Sequence, residues 1–241
     1  MLLTLEGIIL KTTKYAENSL VLHVFTRERG MQGFIIGGVH GKKGRTKGGI
    51  VQIFNLVKIV AYMKEGASLW RIKEIKNHIP YQGIPFDISK STLAFFVNEV
   101  LYKSLRNIHE PDHYLYDFAI NSAQILDLTE KTDPHFHLEF MLKLTKILGF
   151  YPNKVPAGGD FWFDLKDAEF VSKKPLHPMH LGRDHTQTLV KFIHQSEKKE
   201  AHDLTRQERR NLAENLANFY DLQLEGFGQL KTLAVLKEVL E

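Results

Sequence analysis

The sequence contains no cysteine among its 241 residues. Disulfide cross-links and thiolate zinc sites are therefore excluded, and we expect the protein to work in a reducing compartment, the cytoplasm. The N-terminal run MLLTLEGIILK has neither a basic leader nor a small-residue cleavage site, so we interpret it as a strand. Uninterrupted apolar stretches near the ~20 residues that cross a bilayer are also lacking, so we expect no contact with a membrane.

Sequence motifs for catalysis are missing as well. There is no Gly-x-Ser-x-Gly elbow and no HExxH pair, and Gly37-Gly38 does not lead into the Lys-Ser/Thr of a nucleotide-binding loop. We therefore expect a protein that is not an enzyme and that uses no cofactor.

Histidine is plentiful, at twelve, and raises the question of a metal site. His135 and His137 stand two apart at a helix start and would face different directions, whereas His177, His180 and His185 lie on or near a loop. Only the second set is geometrically conceivable as a set of three zinc ligands, and ordinary surface or capping histidines are the preferred interpretation. We predict no metal.

Composition and charge indicate a soluble protein with two unequal parts. Apolar residues make up 43% and charged residues 25%, and the length suits two modest cores better than one. Residues 1–80 hold 13 Lys and Arg against 5 Asp and Glu, whereas residues 81–241 hold 19 against 23. We expect a basic binding domain over 1–80, joined to a domain over 81–241 that contacts partners.

The first third of the chain is rich in β-forming residues with a period of two. Strands are expected at residues 7–15, 19–27, 31–38, 50–64 and 68–79. Several of these runs are apolar on both faces, which favours a small closed barrel over an open sheet with one wet face. Five short antiparallel strands in about 80 residues are typical of an OB-fold.

After residue 80 the apolar period becomes helical. Helices are expected at residues 89–107, 112–128, 135–148, 184–195, 205–223 and in the closing run 230–240, with Asp87 and Ser89 as candidate caps and Thr205–Glu208 as a capping box. The proline- and glycine-rich segment 150–182 interrupts them and predicts a small hairpin that turns near Lys166-Asp167. The fold class is thus α+β, with an N-terminal five-stranded OB-fold barrel, an all-helical second domain and a hairpin insertion.

The segment GGVHGKKGRTKGG, residues 37–49, combines six glycines with four cations. Such a loop can adapt to a phosphate backbone, and each contact releases counterions and makes the affinity fall with salt. The alternative is a surface hairpin whose charges only keep it soluble. The cations assigned to nucleic-acid binding are Lys42, Lys43, Arg45 and Lys47 of this loop.

Further cations of the first domain extend the predicted binding surface. They are Lys11, Lys14, Arg27, Arg29, Arg71 and Lys73, with Lys76 as an additional candidate. Four aromatic side chains lie between them in sequence: Tyr15, Phe25, Phe34 and Tyr62. They would either stack on bases or fill the core, and core is the preferred interpretation for Phe25 and Phe34.

The order of these motifs resembles the RecO family of recombination mediators. Lys11-Thr12 ends a strand, Tyr15-x-Glu17 forms a turn, and Phe25-Thr26-Arg27 with Gly30 leads to the glycine-basic loop. The likeness continues through ILGFYPN, FWFDLKDAEF and GFGQLKTLAVLKEVL, so that it covers nearly the whole chain. It implies an OB-fold followed by a helical domain, in a DNA repair protein of homologous recombination.

The resemblance also implies particular partners. They are single- and double-stranded DNA, RecR, the single-stranded DNA-binding protein and, indirectly, RecA, with strand annealing and recombinase loading as activities in a nucleoid-associated protein. Many relatives carry a four-cysteine zinc module at the place of the 150–182 hairpin. Since those cysteines are absent here, we expect packing of Phe161, Phe163, Leu165 and Phe170 to hold the hairpin instead.

Two other classes of protein fit the same residues. An OB-fold RNA-binding or translation-associated protein would use the same positive loop, and a protein-binding scaffold would be indifferent to nucleic acid. The residues that contact RecR or the single-stranded DNA-binding protein are not assigned; Arg206, Arg209 and Arg210 are candidates on a predicted helix.

Overall fold

In the computed structural model of the protein, residues 1–38, 48–64 and 66–239 are described. The chain divides into two compact units, Met1–Lys131 and Thr132–Glu241. The first unit contains the predicted barrel, whose last strand ends at Ile79, and also the two helices that follow it. A domain boundary after residue 80 stays a prediction.

Five strands close into a barrel in the order β1-β2-β3-β5-β4, with β1 next to β4. Their bounds are Leu2–Ala16 (β1), Ser19–Thr26 (β2), Gly30–Gly37 (β3), Leu56–Tyr62 (β4) and Leu69–Ile79 (β5). The predicted OB-fold barrel is confirmed, but the expectation that every strand pair is antiparallel is wrong, because β3 pairs with β5 in parallel. Gly33 permits this pairing, since a Cβ there would lie 2.7 Å from Leu69 Cδ2 and 2.8 Å from the Ser68 oxygen.

The fourth strand begins at Leu56, six residues later than predicted. Residues 48–50 are helical and residues 51–54 form a turn, which Phe54 ends with a left-handed φ of 69°. The Phe54 N–H donates to the Ile9 oxygen at 2.6 Å, and the Tyr81 hydroxyl donates to the Phe54 oxygen at 2.7 Å. Val51 and Phe54 are both buried. The apolar residues that predicted a strand here therefore lie on the buried side of a turn.

The buried aromatic residues of the first unit confirm the core interpretation of Phe25 and Phe34. Both side chains are fully buried. Phe34 meets Trp70 edge to face with ring centroids 6.1 Å apart inside the barrel, and Phe25 packs against Tyr116 of the second helix at 6.0 Å.

In the described residues two long helices follow the barrel, α1 over Ile88–Leu105 and α2 over His113–Leu128, after a 3₁₀ turn at Ile84–Phe86. Asp87 caps α1 and Asp112 caps α2 through side chains that accept backbone N–H groups. The carboxylate of Asp127 accepts N–H groups from Gln82, Gly83 and Ile84 at 2.8–3.1 Å. The link between barrel and helices is therefore tied to the end of α2.

Buried Lys90 reinforces the same junction. Its ammonium donates to the backbone oxygen of Asp127 at 2.8 Å and to that of Thr129 at 2.6 Å. These two oxygens lie at the C-terminal end of α2, where a cation is favoured electrostatically.

The described part of the second unit, residues 132–239, combines four helices with a three-stranded sheet of order β7-β6-β8. Its elements are α3 (Phe136–Leu148), β6 (Trp162–Asp164), β7 (Glu169–Val171), β8 (His180–Leu181), α4 (Arg183–Lys198), α5 (Arg206–Gln223) and α6 (Thr232–Val239). The predicted hairpin is confirmed and gains a third strand, β8. Asp164 Oδ1 accepts N–H groups from Lys166 at 2.9 Å and Asp167 at 3.2 Å, which places the turn where the sequence predicts it.

Aromatic packing covers one face of this small sheet. Phe163, Leu165 and Phe170 are buried and Phe161 is half-buried. The Phe163 ring lies 5.3 Å from that of Phe219 on α5, which also bears the predicted Thr205–Glu208 capping box. Within the described ranges, no helix is long and apolar enough to span a bilayer.

Candidate nucleic-acid interface

A continuous row of side chains crosses the outside of the barrel. Cross-strand pairing aligns one residue from each strand in turn: Thr13, Val21, Ile35, Arg71 and Tyr62. Paired residues of neighbouring strands share a face, and Phe34 and Trp70, which flank this row, point into the core. Arg71 and Tyr62 are therefore neighbours on the outer face, and both are exposed.

The adjacent row brings Lys11 to the same face. Lys11 pairs with His23, His23 with Gly33, and Gly33 with Leu69. The Lys11 ammonium lies 5.0 Å from the ring centroid of Tyr102 on α1 and donates to its hydroxyl at 3.3 Å. Lys11 on β1 and Leu69 on β5 are separated by three strand spacings of about 4.8 Å each. The cations of the two rows, from Lys11 to Arg71, are therefore spread over ~14 Å across the barrel.

The charge of this face comes from its lysines and arginine, not from His23. Partial burial and then the neighbouring charge of Lys11 lower the pKa of His23, so the imidazole is neutral at pH 7. Lys14 and Lys73 are exposed nearby, Lys14 at the end of β1 and Lys73 at the shift of register between β4 and β5.

Several of the predicted cations have no carboxylate partner within the described residues. Among them, Lys11, Arg71 and Lys73 lie on the outside of the barrel, and together they define what we call the outer cation face. Lys14 pairs with Leu20 and therefore lies on the opposite side of β1 from Thr13. Lys58 behaves differently, because its ammonium lies 3.1 Å from Glu6 Oε1 on the neighbouring strand. A phosphate that approaches the outer cation face therefore displaces counterions and water rather than a protein carboxylate.

Arg27 and Arg29 lie elsewhere, beside the turn at the other end of the β2–β3 hairpin. Thr26 pairs with Gly30 at this end, whereas Ser19 pairs with Gly37 at the far end, about 23 Å away. Arg27 forms an ion pair with Asp117 of α2 at 3.4 Å and stands 6.0 Å from the Tyr116 ring centroid. The structure thus separates these two arginines from Lys14 and Arg71.

The glycine-rich loop provides no geometry for the site. Its four cations, Lys42, Lys43, Arg45 and Lys47, lie outside the described residues. Their part in nucleic-acid binding stays a prediction.

Two aromatic side chains and one further lysine accompany the outer cation face. Tyr15 and Tyr62 are 64% and 51% exposed, so their ring faces are open to a ligand. Lys64 is exposed two residues after Tyr62. Sequence reasoning missed Lys64, which lies just beyond the end of β4 at Tyr62.

Three of the histidines considered for metal binding, His135, His177 and His180, are engaged in other contacts. His177 Nε2 lies 3.0 Å from Asp164 Oδ2, and His180 Nδ1 lies 2.6 Å from the His177 oxygen. His135 Nδ1 meets Asp133 at 3.1 Å, and His137 is buried. Among residues 1–38, 48–64 and 66–239, no group of three or more His, Asp or Glu side chains could hold a metal ion.

The arginines considered as partner contacts lie at the start of α5. Arg206 is exposed, whereas Arg209 donates from its guanidinium to the Leu204 oxygen at 2.9 Å, and Arg210 is partly buried. The Arg209 guanidinium is therefore engaged in part by a hydrogen bond at the start of its own helix.

The order and pairing of the five strands define an OB-fold protein with a helical C-terminal part. Comparison with protein families then identifies the particular kind. Residues 1–80 match the model described as the N-terminal part of recombination protein O, and residues 85–154 match that of its C-terminal part.

Relatives of similar length agree with these matches. The chain is 31% identical to the DNA repair protein RecO of Phocaeicola vulgatus, over 99% of each chain. It is 31% identical to that of Bacteroides fragilis over the whole of both chains, and 30% identical to that of Flavobacterium psychrophilum over 97% of each. The chain belongs to the RecO family of DNA repair proteins.

Proposed function

We propose that this protein binds single- and double-stranded DNA through the outer cation face of its barrel and through the cations of the 37–49 loop. The observation that carries the proposal is the alignment of Lys11 and Arg71 in neighbouring rows, with no carboxylate opposite either in the described chain. Phosphate contacts of this kind depend little on base sequence, which suits a protein that acts at any gap or break.

The proposed activity is to anneal complementary strands and to help load RecA onto DNA covered by the single-stranded DNA-binding protein. Cations on the barrel would reduce the repulsion between two phosphate backbones, and exposed Tyr62 and Tyr15 would offer stacking surfaces to unpaired bases. RecR and the single-stranded DNA-binding protein are the proposed partners of the second unit. The mechanism is one of binding and organisation without covalent catalysis, in a protein associated with the nucleoid.

Salt-dependent binding tests this function. Fluorescence anisotropy would follow labelled single-stranded DNA, double-stranded DNA and RNA across a salt series. Two variants remove predicted contacts: Lys11→Gln/Arg71→Gln/Lys73→Gln on the outer cation face, and Lys42→Ala/Lys43→Ala/Arg45→Ala/Lys47→Ala in the loop. Because each lost phosphate contact reduces the slope of log affinity against log salt by about 0.7 for single strands, we expect a slope smaller by ~2 in the first variant.

Lys58→Gln is the matched control, because Lys58 lies on the same barrel but already has Glu6 as its partner. Its slope should stay close to that of the wild type. A triple variant with an unchanged slope would contradict the proposed surface. Binding of RNA alone would favour an RNA-binding protein, and binding of no nucleic acid would favour a protein scaffold.

A further inference from the structure

A tryptophan with cations beside it lies on the small sheet of the second unit. Trp162 is half-buried at the start of β6. The Lys174 ammonium stands 5.3 Å and the Arg183 guanidinium 5.8 Å from the centroid of its ring, while His180 meets it edge-on at 5.2 Å. Both cations lie within the range of a cation–π contact.

Trp162 does not belong to the packing that holds the sheet on its helix. Successive residues of a strand point to opposite faces, and the next residue, Phe163, is the one that is fully buried against Phe219. Trp162 pairs with Val171 on the other face. Phe163 therefore provides the packing of this strand against α5, and the indole of Trp162 takes no part in that packing.

Charges on this face leave two lysines uncompensated. Three carboxylates are already matched: Asp164 by His177 at 3.0 Å, Glu169 by Lys154 at 2.6 Å and Asp160 by Arg183 at 3.3 Å. By contrast, Lys173 and Lys174 are exposed and have no carboxylate partner within the part of the chain that the structure describes. The surroundings of Trp162 are therefore locally positive.

We propose that this face is a second contact site for single-stranded DNA, in which an unpaired base stacks on Trp162 while Lys173 and Lys174 hold the flanking phosphates. An aromatic ring among cations is the arrangement that binds single strands with little sequence preference, because every base has a π-face and every nucleotide a phosphate. The inference rests on the proposed DNA-binding function and assigns it a site that the barrel does not contain.

The two tryptophans of the chain make the site directly observable. Trp70 is 8% exposed inside the barrel, so the difference in emission between the wild type and Trp162→Phe isolates Trp162. Titration with oligo-dT, which has no base-paired structure of its own, should quench that difference signal. Anisotropy of a labelled oligo-dT, recorded on the same samples, measures the affinity independently.

Three variants complete the experiment. Trp162→Ala should weaken oligo-dT binding about five-fold or more, since stacking of one base is lost, and Lys173→Gln/Lys174→Gln should weaken it and flatten its salt dependence. Lys166→Gln, an exposed lysine on the turn of the same hairpin, is the matched control and should bind like the wild type. Circular dichroism of each variant establishes that it is folded.

Each outcome separates this site from the barrel. Binding by anisotropy without any quenching of Trp162, or a Trp162→Ala variant that is less stable yet binds as tightly as the wild type, would overturn the second site and leave the proposed function standing. An absence of binding to every DNA tested would overturn both.

Discussion

The barrel and the small sheet differ in how their charged side chains are paired. In the barrel β1 pairs with both β2 and β4, so the core is enclosed by the strands themselves. The small sheet has three short strands and depends on Phe219 of α5 to cover one face. Closure leaves the outside of the barrel free to carry unmatched cations, whereas the open sheet matches its carboxylates with Lys154, His177 and Arg183.

The residues that stabilise the fold and those proposed to bind DNA are separate in the barrel and adjacent in the small sheet. On β6, the residue that packs the core and the residue proposed to bind DNA are adjacent, Phe163 and Trp162. On the barrel, Lys11 and Arg71 lie outside a core to which they do not contribute. Substitutions that remove packing, buried polar contacts or charge should therefore differ in size between the two regions.

The largest effect is expected for Phe163→Ala. Removal of a fully buried ring that touches Phe170 and Phe219 leaves a cavity, which should lower the free energy of unfolding by about 3–5 kcal/mol. Urea unfolding followed by Trp162 emission in a Trp70→Phe background measures it. Phe161→Ala, at a half-buried position of the same segment, is the control and should cost much less; similar losses in both would argue against the packing described.

A slightly smaller loss, about 3 kcal/mol, is expected for Asp127→Ala in the first unit. The substitution leaves the N–H groups of Gln82, Gly83 and Ile84 without their carboxylate acceptor. Urea unfolding followed by Trp70 emission would record it. Asp117→Ala on the same helix removes only an exposed ion pair with Arg27 and should cost at most about 1 kcal/mol. Equal costs for the two aspartates would contradict this account of the junction.

The dependence of stability on pH should be reduced by His137→Gln. Burial, and then the charges of His135 and Arg209, lower the pKa of His137 from 6.5 to about 3. As the pH falls below 6.5 the unfolded chain takes up a proton that the folded chain does not accept until about pH 3. The contribution of His137 to the free energy of unfolding is therefore complete above pH 6.5. As the pH falls from 6.5 to about 3, this contribution declines at about 1.4 kcal/mol per pH unit.

Urea unfolding at intervals from pH 7 to pH 4 tests this expectation. The plot of unfolding free energy against pH should be less steep for His137→Gln than for the wild type. His185→Gln, at an exposed position of α4, is the control and should leave the slope unchanged. Parallel curves for the wild type and His137→Gln would show that His137 titrates alike in both states.

The smallest effect, none at all, is expected from a chelator. The small sheet packs through Phe163, Leu165 and Phe170, and the chain has no cysteine to supply a thiolate ligand. EDTA should therefore leave the midpoint of thermal unfolding unaltered. A fall of several degrees would point to a metal bound through histidine or carboxylate ligands.

Much of the fold follows from local patterns in the sequence. The period of two predicts β1, β2, β3 and β5, and the period of 3.6 with its caps predicts the helices, including the Thr205–Glu208 capping box. The start of β4 was predicted wrongly because Phe54 takes a left-handed conformation that its own side chain does not favour. Contacts with Ile9 and Tyr81, distant in sequence, stabilise that conformation.

The candidate site was predicted in its residue types and only partly in its layout. Composition identifies the cations, but the register of β5 with β3 places Arg71 beside Ile35, and its register with β4 places Arg71 beside Tyr62. The register of β3 with β5 could not be predicted from the sequence, because parallel pairing of these distant strands depends on closure of the barrel. Arg27 was grouped with these cations in the sequence, yet the structure gives it Asp117 as a partner.

By itself the sequence determined the classes of local structure, the basic character of the first third and the absence of thiolate chemistry, since these depend on residue type and short-range spacing. Tertiary structure alone decided which cations share a face, which are neutralised by a carboxylate, and which aromatic rings stay open to a ligand. The physical reason is that ion pairing and burial depend on distances of a few ångströms between residues that are far apart along the chain.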